Sequence, residues 1–109
     1  MLDALLPLLS GTNHLRIIDL LKPHVGSGVN VSGKLVNVNP LMHWILTVVS
    51  VETKGRRTLV SCRFDRERWE TTFRDICDIG DIITLRGTVS EQQTGQSLQV
   101  IECEVLGCS

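Results

Sequence analysis

The chain has 109 residues, 42% apolar and 21% charged, with a net charge of −1. That length allows one small domain around one core, and the near-neutral balance excludes a whole-protein attraction to nucleic acid or to an anionic membrane. Two Trp, two Phe and no Tyr leave the core to Val, Ile and Leu, a mixture that favours strands.

Residues 1–11, MLDALLPLLSG, are apolar. Asp3 stands where a secretory leader carries positive charge, and Pro7 interrupts a run too short to span a bilayer. Neither a leader nor a membrane helix is expected, and no membrane partner. Thr12 to Val25 predicts a helix: Thr12 or Asn13 caps it, Leu15, Ile17, Ile18 and Leu21 form its apolar stripe, and Pro23 and Gly26 end it. The Gly26 to Gly28 segment is a connector, since no strand precedes it and no Lys-Ser or Lys-Thr follows to make a phosphate loop.

From Val29 the pattern is that of a strand, VNVSGKLVNVN, with Val29, Val31, Gly33 and Leu35 on one face before Val36 and Val38 take the opposite parity. The phase change around Gly33 to Val36 predicts a bulge or sharp bend. Asn39 and Pro40 are read as the turn. His43 to Glu52 is apolar at both parities, Trp44, Leu46 and Val48 against Ile45, Val49 and Val51, so its inner face stays unassigned. A strand apolar on both faces needs cover on both. TKGRR, Thr53 to Arg57, is a hairpin turn with Gly55 at its tip. It leads into TLVSCRF, where Val60, Cys62 and Phe64 alternate with Leu59, Ser61 and Arg63.

Next the period changes. Trp69, Thr72, Phe73, Ile76 and Cys77 recur at spacings of three and four, one face of a helix, with Asp65 as its N-cap and Gly80 in the positive-φ region beyond its end. Ile83, Leu85, Gly87 and Val89 return to period 2. SEQQTGQS is a second hairpin turn, and LQVIECEVL is the last strand, whose inward set passes from Leu98 and Val100 to Ile101, Cys103 and Val105. That slip predicts a second bulge.

Five strands with a helix between the third and fourth is the order of the OB-fold, a Greek-key barrel whose strands bend sharply to close. The expected fold is all-β with helices: a five-stranded OB-fold Greek-key barrel, a helix between strands 3 and 4, and an extra N-terminal helix. Residues 1–28 would form the apolar segment and helix, 29–106 the barrel, and 107–109 a tail. VSGKLVNV, TLVSCRF, the helix, GDIITLRGTV and LQVIECEVL resemble the bacterial tRNA-anti-like OB-fold family, and more loosely the anticodon-binding and single-strand-binding OB domains, over about residues 29 to 106. The resemblance implies a nucleic-acid-binding module.

Catalytic chemistry is sparse. His14, His24 and His43 are dispersed, the carboxylates interleave with basic residues, and Asp78 and Asp81 flank a turn glycine; no enzyme activity is expected. Cys62, Cys77, Cys103 and Cys108 lack zinc-ligand spacing, so they read as buried free thiols in a reduced, cytoplasmic setting. No metal or other cofactor is expected.

Positive charge is concentrated locally. Lys54, Arg56, Arg57, Arg63, Arg66, Arg68 and Arg74 face only Asp65, Glu67 and Glu70 within the same stretch. Arg66, Arg68 and Arg74 are set aside as helix ion pairs with Glu67, Glu70 and Asp75. In OB-folds single strands cross the strand 2–3 face, which makes Lys54, Arg56, Arg57 and Arg63 candidates, with Lys34 and Arg86 alongside. Trp44 is a base-stacking ring if it points outward and core if it points inward. The partner expected is single-stranded nucleic acid, bound with little sequence preference. The alternative is a protein partner or a homo-oligomer formed through the N-terminal apolar segment and strand 2, with the barrel as scaffold.

Overall fold

In the computed structural model, which describes residues 18–19, 21–53, 55–93 and 97–109, five strands close into a barrel in the order β1-β2-β3-β5-β4. They are β1 (Gly28–Pro40), β2 (Trp44–Thr53), β3 (Arg56–Asp65), β4 (Ile82–Val89) and β5 (Leu98–Cys108). All neighbours are antiparallel except β3 and β5, which run parallel over Val60↔Leu98, Ser61↔Gln99 and Cys62↔Val100. With the helical segment α1 (residues 66–73) between β3 and β4, this is the expected OB-fold. The barrel reaches from Gly28 to Cys108, so the 29–106 bounds were short at both ends. Residues 107–108 are strand instead of tail, and Ser109 pairs with Ile82 through both backbone groups.

Both predicted phase changes are present. β1 carries a register shift between Leu35 and Asn37 against β2, and β5 shifts against β4 between Arg86 and Thr88. The second irregularity surrounds Glu102, which has φ 53°. It carries the inward set from Leu98 and Val100 to Cys103, leaving Ile101 half-buried. At Gly33 the reason for the missing side chain is spatial. A Cβ there would overlap the Ser50 carbonyl oxygen and stand 3.0 Å from Val49 Cγ1, because the bend presses β1 onto β2. Gly33→Ala is therefore expected to destabilise the fold by about 1–3 kcal/mol, measured by urea unfolding, the range for overpacking a filled site.

The turn between β1 and β2 lies later than Asn39 and Pro40, which are still strand; it is Leu41 to His43, closed by Leu41 N–H donating to the Trp44 carbonyl at 2.7 Å. β2 has its inner face on Ile45, Thr47, Val49 and Val51. Its parity was hidden because a polar residue occupies a core position. Thr47 is fully buried, and its hydroxyl donates to the Cys62 carbonyl at 3.0 Å, which removes the cost of an unpaired buried group.

α1 begins as predicted and then departs. Asp65 caps it, accepting from Arg68 N–H at 3.1 Å. After one α-turn, Arg66–Arg68, the chain widens into a π-helical turn, Trp69–Phe73, with Arg74 N–H donating to the Trp69 carbonyl. Trp69 and Phe73 plug the barrel against Phe64, ring centroids 4.8 to 6.1 Å apart. A wider turn advances each residue through a smaller angle, so Thr72 and Ile76 fall off the inner face, and Ile76 is exposed. Gly80 holds φ 100°, as the chain turns back toward β4.

Of the leading helix, Ile18, Asp19 and Leu21 are described. Leu21 is fully buried in the core cluster, and the Lys22–His24 turn with Pro23 ends the helix. Leu15, Ile17 and the caps lie outside the described residues.

Cys62, Cys77 and Cys103 are buried and Cys108 half-buried, all as free thiols. Burial, then the Cys108 thiol, pushes the Cys77 thiol up to about 12; the hydrogen bond with Cys103, then burial, pushes Cys62 well above its ordinary value. A thiol raised in the folded state contributes stability that is intact below its unfolded value near 9.0 and is lost as pH climbs toward about 12. At pH 8, Cys77 should alkylate much more slowly than an ordinary exposed thiol, measured by mass spectrometry with iodoacetamide. The melting temperature should fall progressively above about pH 9.

Candidate nucleic-acid interface

The outer face of the β2–β3 hairpin follows from its register. Without a shift along the ladder, Trp44 lies opposite Asp65, Leu46 opposite Arg63, Val48 opposite Ser61, Ser50 opposite Leu59 and Glu52 opposite Arg57. All carry the parity opposite to the core. Trp44 is 39% exposed and Leu59 46%, so the tryptophan is on the surface and not in the core. The Arg63 guanidinium, a diagonal neighbour, sits 5.5 Å from the Trp44 ring centroid, within cation–π range. β1 continues the face with Asn37 opposite Val48 and Asn39 opposite Leu46.

The end of this face nearest Trp44 is held by α1. Arg66 donates its backbone N–H to the His43 carbonyl and its Nη1 to the Leu41 carbonyl at 2.8 Å, while Nε pairs with Glu70 at 3.1 Å. One side chain thus ties the β1–β2 turn to the helix start. At the other end a cleft of about 360 Å³ opens between Lys34 of β1 and Arg57 of β3. Arg57 is paired with Glu52 at 3.9 Å, both side chains being about 70% exposed, an arrangement worth about 0–1 kcal/mol.

The candidates therefore separate. Trp44, Arg63, Lys34 and Arg57 share one side of the barrel. Arg86 lies elsewhere, opposite Asn30 and Glu104, and pairs with Glu104 at 3.6 Å. Lys54 and the Arg56 side chain lie outside the described residues. Among the helix arginines, Arg66 pairs with Glu70 and Arg74 with Asp75, but Arg68 reaches across to Glu104 of β5 at 2.7 Å instead of using a helix neighbour. Leu46, Val48, Leu59, Asn37 and Asn39 were missed as surface residues of this face. The apolar residues at both parities of β2 were the available signal, since a second apolar set has to go outward.

Among the described residues no three His, Cys, Asp or Glu side chains are grouped to hold a metal ion, and no helix is long and apolar enough to cross a membrane.

The closed five-stranded barrel with its helix between β3 and β4 places the chain in the OB-fold class, and solved structures agree. The mitochondrial single-stranded DNA binding protein Rim1 of S. cerevisiae matches with TM-score 0.59 at 10% identity, over 75% of this chain and 94% of that one. The asparaginyl-tRNA synthetase of Pyrococcus horikoshii matches with TM-score 0.54 at 16% identity, over 80% of this chain but only 21% of the synthetase. An OBody bound to hen egg-white lysozyme matches with TM-score 0.56 at 16% identity, over 78% and 80% of the two chains. At these identities the likeness is one of fold. No protein-family model and no curated protein sequence matches the chain, so the resemblance to the tRNA-anti-like family rests on the residues quoted above.

Proposed function

We propose that the protein is a non-catalytic module that binds single-stranded nucleic acid across the outer face of β2 and β3, with little sequence preference. The observation that carries this reading is Trp44, an exposed ring beneath the Arg63 guanidinium, on the face where OB barrels take single strands. Such a pair offers a π-surface for any base and a cation for the backbone, which is how sequence-tolerant binding is built. The half-buried Leu46 and Val48 continue the surface toward Arg57. That a structural neighbour is a single-stranded DNA binding protein supports the reading. The hairpin charges Lys54 and Arg56 belong to it as well.

A fluorescent oligonucleotide titrated against salt is the test. Affinity should fall with a slope of about −0.7 per phosphate neutralised, and removing Lys54, Arg56 and Arg57 together should flatten the slope by about 2. Absence of binding at about 20 mM salt, where screening is weak, would reject the reading.

A second reading is favoured by a different surface. Ile76 and Ile79, between α1 and β4, are 58% and 59% exposed. Exposed apolar side chains suit a protein partner or self-association, and the OBody that this chain resembles in fold is bound to lysozyme. Light scattering of the wild type, of the Ile76→Glu, Ile79→Glu double variant and of the chain without residues 1–11 separates association through this surface from association through the N-terminal segment and from a monomer.

A further inference from the structure

The cleft at the Arg57 end of the face has the chemistry of a nucleotide. Its apolar walls are Val36 and Ile82, 39% and 50% exposed, enough to receive a base or sugar edge. Gly33 and Ser50 complete its lining. Lys34 and Arg57 flank it, and Glu52 is its one carboxylate. Lys34 makes no ion pair among the described residues, and Arg57 is held only by the exposed 3.9 Å contact with Glu52. A phosphate between the two cations would displace Glu52 at little cost.

We propose that this cleft is a single-nucleotide subsite, with the phosphate between Lys34 and Arg57 and the base against Val36 and Ile82. It lies at the end of the track opposite to Trp44 and rests on the single-strand reading of the β2–β3 face. From Trp44 to Glu52 the path along β2 is up to about 26 Å at the usual rise of a strand. Strands of different length therefore reach different parts of the track, and the cleft should be felt only by those that span it.

The experiment is an anisotropy titration of oligothymidylates from roughly three to ten nucleotides, bracketing the shorter footprints of OB barrels. It uses the wild type, Lys34→Ala, Arg57→Ala and Glu52→Gln. The shortest strands, seated on Trp44, should lose less in the alanine variants than the longer strands do. In the wild type, affinity should rise once the strand reaches the cleft, and each alanine variant should lose that gain, up to about fivefold, with a salt slope smaller by about 0.7 for those longer strands. Glu52→Gln should strengthen the longer strands alone. A loss that is equal at every length, or no loss at any, overturns the subsite while leaving the β2–β3 face intact. If no oligothymidylate binds even the wild type, the face reading fails, and thymidine 3′,5′-bisphosphate decides the cleft separately. Amide shifts at Gly33, Ser50 and Ile82 that vanish in Arg57→Ala uphold it, and their absence overturns it.

Discussion

Truncating Phe64 to alanine should cost about 3–5 kcal/mol of stability, more than any surface change in this chain. Phe64 is fully buried and meets both rings of α1, Trp69 at 4.8 Å and Phe73 at 6.0 Å between centroids. Its loss removes the transfer energy of a large ring, leaves a cavity, and deprives the π-helical turn of the surface it packs against. Phe64→Leu, which keeps much of the volume, should recover most of the stability. Urea unfolding monitored by tryptophan fluorescence checks both, since Trp69 is 3% exposed and reports the plug. Equal midpoints for Phe64→Ala and the wild type would mean that α1 does not close the barrel.

For binding, the largest expected effect is at Trp44. Trp44→Ala should weaken single-strand binding by about 1–3 kcal/mol, roughly 5- to 150-fold, the loss of one stacked base. Arg63→Ala should weaken it as well and flatten the salt slope by about 0.7. Because the guanidinium lies over the ring, the two substitutions should be non-additive by about 0.5–1 kcal/mol. Stability should hardly change, Trp44 being at the surface. Wild-type affinity in Trp44→Ala would remove the stacking platform from the proposal. Acrylamide quenching supplies a direct readout: the accessible tryptophan signal is that of Trp44, and a bound strand should shield it while leaving Trp69 unaffected.

Much of this architecture is legible in the residues. Val60, Cys62 and Phe64 in β3, and Ile83, Leu85 and Val89 in β4, alternate as half-buried strands do, and all are buried. The phase changes after Gly33 and after Val100 marked two of the three register shifts among the described residues; the third, between Thr84 and Leu85 against β5, had no such mark. β2 resisted because Thr47 faces inward while Trp44, Leu46 and Val48 face outward, so hydropathy alone assigns the wrong residues to the core. Thr47 is polar but hydrogen-bonded, and nothing local announces its partner, Cys62. Ile76 was misplaced because a helical period of 3.6 was assumed where the backbone takes a π-turn. The pairing of Arg68 with Glu104 joins residues 36 positions apart and depends on the closed barrel.

The Trp44 and Arg63 pairing is intermediate. Counting outward from the turn at Gly55 without a bulge places Leu46 opposite Arg63 and Trp44 diagonal to it, so the contact follows from the hairpin register. The turn expected over Thr53 to Arg57 would have set the register one residue off, since Thr53 pairs with Arg56 and Glu52 with Arg57. Lys34 and Arg57, on different strands, come to one cleft only in the folded barrel.

Closure of the ring has one more consequence. β5 is hydrogen-bonded to β3 on one side and to β4 on the other, and β1 joins β2 and β4, so every strand has a neighbour on both sides. No strand is left with one side wholly unpaired, and the seam between β3 and β5, which holds over only three residue pairs, is where the ring comes nearest to the open edge through which chains stack into fibrils or capture an extended peptide as an added strand. Away from that seam, recognition begins with side chains and loop tips, and the backbone of the barrel is shielded from its own copies.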